Sequence, residues 1–160
     1  MARDIQNEIN TLRHDRNAII LVHNYAPGEV QDIGDFVGDS LELARKAAQT
    51  EADVIVFCGV HFMAETAAIL SPEKTVVMPD VNAGCPMANM ATPRELTQVR
   101  KKYPEAGVVT YVNSSADIKA MSDICCTSSN AVDIVSRFPE DQDVIFVPDR
   151  NLGAYVEKKL

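Results

Sequence analysis

Apolar positions along the chain change period several times, and the changes divide it into elements. In residues 4–14, Ile5, Ile9 and Leu12 recur at helical spacing among charged side chains, which predicts an opening amphipathic helix. The run AIILVHNY, residues 18–25, is continuous and β-branched and ends in polar residues, the pattern of a buried parallel strand running into a loop. Helical spacing then returns through Ile33, Val37, Leu41, Ala44 and Ala48, predicting one long helix over 31–49. A strand over 53–59 (DVIVFCG), a helix over 62–70 (FMAETAAIL) and a strand over 75–78 (TVVM) complete the first half.

The second half repeats the alternation. Thr92 as N-cap, Pro93 at the first helical position and Glu95 at the third predict a helix start. Strands follow over 107–114, 123–129 and 143–149, with helices near 117–122 and 130–138. Short strands joined through helices require right-handed crossovers, so the expected fold class is α/β. It is read as two repeated three-layer α/β/α domains with small parallel sheets, residues 1–84 and 85–160.

An internal echo supports the repeat. VMPDVNAGC at 77–85 returns as FVPDRNLGA at 146–154, so Pro79, Asp80, Asn82 and Gly84 recur as Pro148, Asp149, Asn151 and Gly153, each 69 positions on (148 minus 79). In the same comparison Asp53 aligns with Asp123, and Asn24 with Asn113.

Composition narrows the function classes. A chain of 160 residues with 46% hydrophobic content can bury a core, and a net charge of -8 without clustered Lys and Arg argues against nucleic acid. No apolar run approaches a membrane span and the first ten residues hold no signal-peptide core, so the expected location is cytoplasmic. In that reducing compartment Cys58, Cys85, Cys125 and Cys126 are expected as free thiols or metal ligands, not disulfides.

Ligands bind at the carboxyl ends of parallel strands. His23, Asn24 and Tyr25 end one predicted strand, Tyr111, Asn113 and Ser114 another, and Thr127, Ser128 and Ser129 a third. Each of these residues could equally be a loop group that caps a strand or helix. Thr127–Ala131 opens a predicted helix with hydroxyls and backbone N–H groups suited to an anion, and Ser40 could bind or cap in the same way. His14 reads as solvated and His61 as a cap or packing residue. Cys58, Cys125 and Cys126 fall in strand-like runs, where cysteine behaves as a small hydrophobe. Cys85 differs, because it lies in a loop between Gly84 and Pro86 and its echo position holds Ala154. A loop thiolate there suits a nucleophile, a redox sulfur or a soft-metal ligand.

Taken together HNY, GDSLELA, VFCGVHFMAETAAIL, MPDVNAGCPMA, YVNSSADIKAMSDICCTSSNA and VPDRNLG resemble the quinolinate synthase family from about residue 18 to the last residue given. The resemblance implies three α/β/α domains around a pseudo-threefold axis, of which the third is absent from this chain. It implies condensation of iminosuccinate (iminoaspartate) with dihydroxyacetone phosphate to quinolinate, with release of phosphate and water, in NAD biosynthesis. Cys85 would be one of three cysteine ligands of a non-redox 4Fe-4S cluster acting as a Lewis acid. The other two ligands would lie in the missing carboxy-terminal part, so this fragment is expected to be inactive alone. His23, Ser40, Tyr111, Asn113 and Ser128 would bind substrate, and Tyr25 with Tyr111 would handle protons. Phe62 and Met63 could wall off water or simply pack. An L-aspartate oxidase or aspartate dehydrogenase would supply the imine. The competing reading is a non-catalytic two-lobed module that binds a dicarboxylate or phosphate ester. A thiol-redox role for Cys125 and Cys126 is weaker, because adjacent cysteines close only a strained disulfide.

Overall fold

The computed structural model describes residues 2–160 and divides them into two compact units, the first reaching Gly84 and the second running from Cys85 to Leu160. The first contains α1 (Ala2–Asp15), β1 (Ala18–His23), α2 (Gly28–Gln31), β2 (Phe36–Gly38), α3 (Ser40–Gln49), β3 (Val54–Cys58), α4 (His61–Leu70) and β4 (Thr75–Val77). All its strand pairs are parallel, in the order β2-β1-β3-β4. β1 is central and hydrogen-bonded on both sides, which is why its apolar run is continuous and Ile20, Leu21 and Val22 are buried. Asn17 turns the chain from α1 into β1 at φ 44°, a left-handed conformation asparagine tolerates, and its Nδ2 donates to the Asp53 carboxylate at 3.0 Å.

The helix expected over 31–49 is a short helix, a strand and a second helix. At Gly34 a Cβ would lie 2.7 Å from Val22 Cγ2, so only glycine lets the chain pass this close to β1. Asp35 then bonds β1 twice, its carboxylate accepting the Ile20 N–H at 2.8 Å and its own N–H donating to the Ile20 carbonyl at 2.9 Å. The helix restarts where Asp39 accepts the N–H groups of Leu41 and Glu42 while Glu42 accepts the Asp39 N–H, a complete capping box.

The second unit contains α5 (Pro93–Lys102), β5 (Gly107–Tyr111), α6 (Ala116–Ala120), β6 (Ile124–Cys126), α7 (Ala131–Val135), β7 (Val144–Val147) and α8 (Arg150–Lys159). Its sheet is parallel in the order β6-β5-β7, and α5 starts at the Thr92–Glu95 capping box with Pro93 inside it. One core sets Val109 and Cys126 against Ala131, Ile134 and Val156, and another joins Val108 to Leu96 and Ile118. Alternate residues of β5 therefore feed opposite faces, each covered by helices.

Strand register corrects the sequence comparison. Asp123 accepts the Val108 N–H at 2.7 Å and donates its own N–H to the Val108 carbonyl at 3.0 Å, the bond pair that Asp35 makes with Ile20. Asp123 thus corresponds to Asp35, 88 positions earlier (123 minus 35), and not to Asp53. At the same offset His23, opposite Gly38, corresponds to Tyr111, opposite Cys126. Asn113 then matches Tyr25, not Asn24. The P-D-x-N-x-G echo joins places that differ in topology, since β4 pairs with β3, one strand removed from the central β1, whereas β7 pairs directly with the central β5. What recurs is a local turn in which the Asp accepts the N–H two residues on, Asp80 from Asn82 and Asp149 from Asn151, each at 2.8 Å. Only the second copy continues into a helix. Among the described residues no helix is long and apolar enough to cross a membrane.

Candidate functional site

Each sheet carries its polar residues at the carboxyl end of the central strand. In the first unit His23 closes β1 at 6% exposure, its Nδ1 accepting the Tyr25 N–H at 3.2 Å. That bond leaves the proton of a neutral ring on Nε2. The Tyr25 ring lies 4.6 Å from the imidazole, tilted by 54°, and is itself 90% exposed. Register sets Gly38 beside His23, so Asp39 and Ser40 follow at the start of α3. Burial pushes the His23 pKa below its usual value, and the Asp39 carboxylate pulls the other way.

In the second unit Tyr111 closes β5, half-buried, with a side-chain hydrogen bond to Ser128. Its pKa is raised, first by burial, then by the Asp149 carboxylate, with smaller pushes from Cys126 and Cys85; the Ser128 bond works against them. These groups arrive from β5, from the turns after β6 and β7, and from the loop that begins the unit. Asn113 is tied to that same loop, its Nδ2 4.0 Å from Met87 Sδ. Ser114 is buried and donates to the Tyr111 carbonyl at 2.9 Å, a structural bond.

The structure also places the other residues that the sequence singled out. The segment Thr127–Ala131 is bonded to itself, with Asn130 Oδ1 accepting the Thr127 N–H at 2.7 Å ahead of a helix of only five residues. It is a turn in which the Thr127 N–H is already engaged. Phe62 and Met63 are buried at 3% and 8% and pack within the first unit. His61 begins α4, its N–H on the Ala83 carbonyl at 2.7 Å and its Nδ1 3.6 Å from Glu65. Asp39 and Asp149 are the residues that sequence reasoning passed over. Both are N-caps, and the Asp-x-x-Glu spacing of Asp39 and Glu42 was the available signal for the first.

The cysteines separate by environment. Cys58 and Cys126 are buried, and burial with Cys125 alongside pushes the Cys126 thiol up to about 11. Burial raises Cys58 as well. Cys125 is exposed, contrary to the expectation that its strand buries it, while Cys85 is half-buried in its loop. All four are free thiols, and among the described residues no three His, Cys, Asp or Glu side chains converge to hold a metal ion.

The family model described as Quinolinate synthetase A protein matches residues 7–160. The quinolinate synthase of Desulforudis audaxviator is 63% identical over 155 residues, covering 95% of this chain and 50% of the relative. That of Geotalea uraniireducens is 60% identical over 155 residues, covering 97% and 51%, and that of Gloeothece citriformis 59% identical over 153 residues, covering 96% and 47%. The chain spans about half the length of these curated relatives. With His23 and Tyr111 closing the central strands of two α/β units, each built on a parallel sheet, and a family match over residues 7–160, the chain belongs to the quinolinate synthetase A family.

Proposed function

We propose that these residues form part of a quinolinate synthase that condenses iminosuccinate with dihydroxyacetone phosphate. In that reaction one phosphate and two waters leave as the pyridine ring closes. The observation that carries the reading is the Tyr111 phenol gathered with Ser128, Asp149 and Cys85 at the carboxyl end of one sheet. Its raised pKa keeps the phenol protonated at neutral pH, the state that can donate to a departing hydroxyl during dehydration. His23, neutral with its proton on Nε2, donates to a substrate carboxylate. Ser40, Ser128 and Asn113 complete the carboxylate contacts, and the exposed Tyr25 relays protons beside His23.

A 4Fe-4S cluster belongs to the same reading. Cys85 fits one corner of it, being a soft sulfur donor in a half-buried loop, whereas Cys58 and Cys126 are buried in strands. Cys125 is exposed but lies within β6, so Cys85 is the loop thiol among the four, and a three-cysteine site would draw its two other ligands from elsewhere in the full-length protein. When bound, an iron left open by three-cysteine ligation supplies a Lewis acid. The imine would come from an L-aspartate oxidase or aspartate dehydrogenase, and a reducing cytoplasm would keep the thiols free.

The test uses the full-length protein, loaded anaerobically with iron and sulfide and given dihydroxyacetone phosphate with iminosuccinate from L-aspartate oxidase. Quinolinate and phosphate should appear in equal amounts, and Tyr111→Phe should lower kcat by about 100-fold, the scale of losing a positioned proton donor. A loaded wild-type protein that makes no quinolinate would overturn the assignment. A Tyr111→Phe protein with unchanged kcat would remove Tyr111 from the chemistry.

A further inference from the structure

We propose that Asp39 is a positioning residue for His23, its carboxylate fixed by the helix it caps, one residue past the strand partner of the buried imidazole, to govern the proton the ring carries toward substrate. This deepens the quinolinate synthase reading and rests on it for the identity of the substrate. The argument begins with register, because Gly38 pairs with His23 across β1 and β2 and Asp39 is the next residue. Gly38 is buried and its carbonyl accepts the Asn24 N–H at 3.1 Å, which pins the two strand ends together.

Asp39 is held at three points. Its Oδ1 accepts the N–H groups of Leu41 and Glu42, each at 2.9 Å, and its own N–H donates to Glu42 Oε2 at 2.9 Å. The carboxylate therefore stays where its charge acts on His23. The imidazole is equally constrained, since Nδ1 is occupied by the Tyr25 N–H at 3.2 Å and only Nε2 is left to exchange a proton. Cap and histidine form one assembly.

The other titratable groups around the ring leave Asp39 as the fixed charge. Tyr25 is an exposed phenol tilted against the imidazole. Cys58, one register step away on β3, is kept a thiol by burial. Glu42 is engaged with the Asp39 N–H, and His61 at the start of α4 faces Glu65. When a substrate dicarboxylate arrives, a second negative charge near Nε2 favours imidazolium, and the charge already supplied by Asp39 brings that protonation closer to neutral pH. A caps-only Asp39 would be replaceable by any good capping residue without effect on His23.

Asp39→Asn separates the two roles, because asparagine caps a helix as well as aspartate does and carries no charge. In the ligand-free full-length protein, histidine NMR should show the His23 titration midpoint falling below its wild-type position, because the carboxylate that favours the imidazolium is gone. With iminosuccinate and dihydroxyacetone phosphate, KM for the imine should rise several-fold more than kcat falls, while the thermal midpoint stays near wild type. Asp39→Ser, a second uncharged cap, should reproduce both effects. An unmoved His23 midpoint in either variant overturns the proposal whether or not the protein makes quinolinate. A moved midpoint with unchanged KM and kcat overturns the positioning role. Absence of quinolinate formation in the loaded wild type strikes the proposed reaction, and the titration still decides on the Asp39–His23 pair.

Discussion

His23 and Tyr111 occupy equivalent places in two sheets, and burial acts on them with opposite sign and the same result. It lowers the imidazole pKa and raises the phenol pKa, so both rings are neutral hydrogen-bond donors at neutral pH. For His23 this has a consequence for stability. Its folded-state pKa lies below the unfolded value, so its contribution is present above about pH 6.5 and is lost as pH falls through that value toward the folded pKa. The thermal midpoint should therefore drop as pH falls below about 6.5, and His23→Gln should flatten that part of the curve. An unchanged slope in the variant would assign the drop to other groups. At this scale the strand-end residues were legible because polar groups after a buried apolar run stand out. Asp39 and Asp149 were not, since an aspartate before a helix reads as a cap and nothing in the sequence gives its distance to an aromatic ring one strand away.

Among the elements, those whose signals are local were legible. Thr92, Pro93 and Glu95 sit within one helical turn, and the capping box they predict is present. β1, β3 and β5 are continuous apolar runs because both of their faces are covered. β2 was hidden, because three residues are too few to show alternation, and Ile33, Val37 and Leu41 happen to fall four apart. Val37 and Leu41 are 39% and 42% exposed, so this spacing traces no buried helical stripe. What builds β2 is Asp35, and its counterpart Asp123 builds β6 by the same pair of bonds. Asp123→Ala would leave the N–H of the fully buried Val108 without a partner, at a cost of about 1–3 kcal/mol. Asp53→Ala, the residue that sequence alignment would have chosen, loses only an exposed side-chain bond to Asn17 and should cost less than about 1 kcal/mol. Urea unfolding of the two variants checks the order, and the reverse order would remove Asp123 as the element's anchor.

Across the whole molecule the parallel architecture was legible and its internal register was not. The conspicuous P-D-x-N-x-G echo marks a turn that any strand exit can use, whereas the structural offset of 88 is carried by pairings such as Asp35 with Asp123 that share little surrounding sequence. Once the register is right, Ser40 and Ser128 become equivalent as well, each two residues past the partner of the central strand's last residue. Cys85 stands outside this scheme. It belongs to no strand, and a thiol there serves neither core, while Cys58 and Cys126 each sit in one. The cysteines of the full-length protein should therefore divide by role. After anaerobic loading, Cys85→Ala should lose most of the iron and the visible absorbance of a cluster with little change in thermal midpoint. Cys58→Ala and Cys126→Ala should keep the iron and lower the midpoint, because each removes a buried sulfur from a packed core. Iron lost from Cys126→Ala to the same extent, with its fold intact, would show that the metal draws on the core thiols and would end the case for Cys85 as this chain's sole ligand.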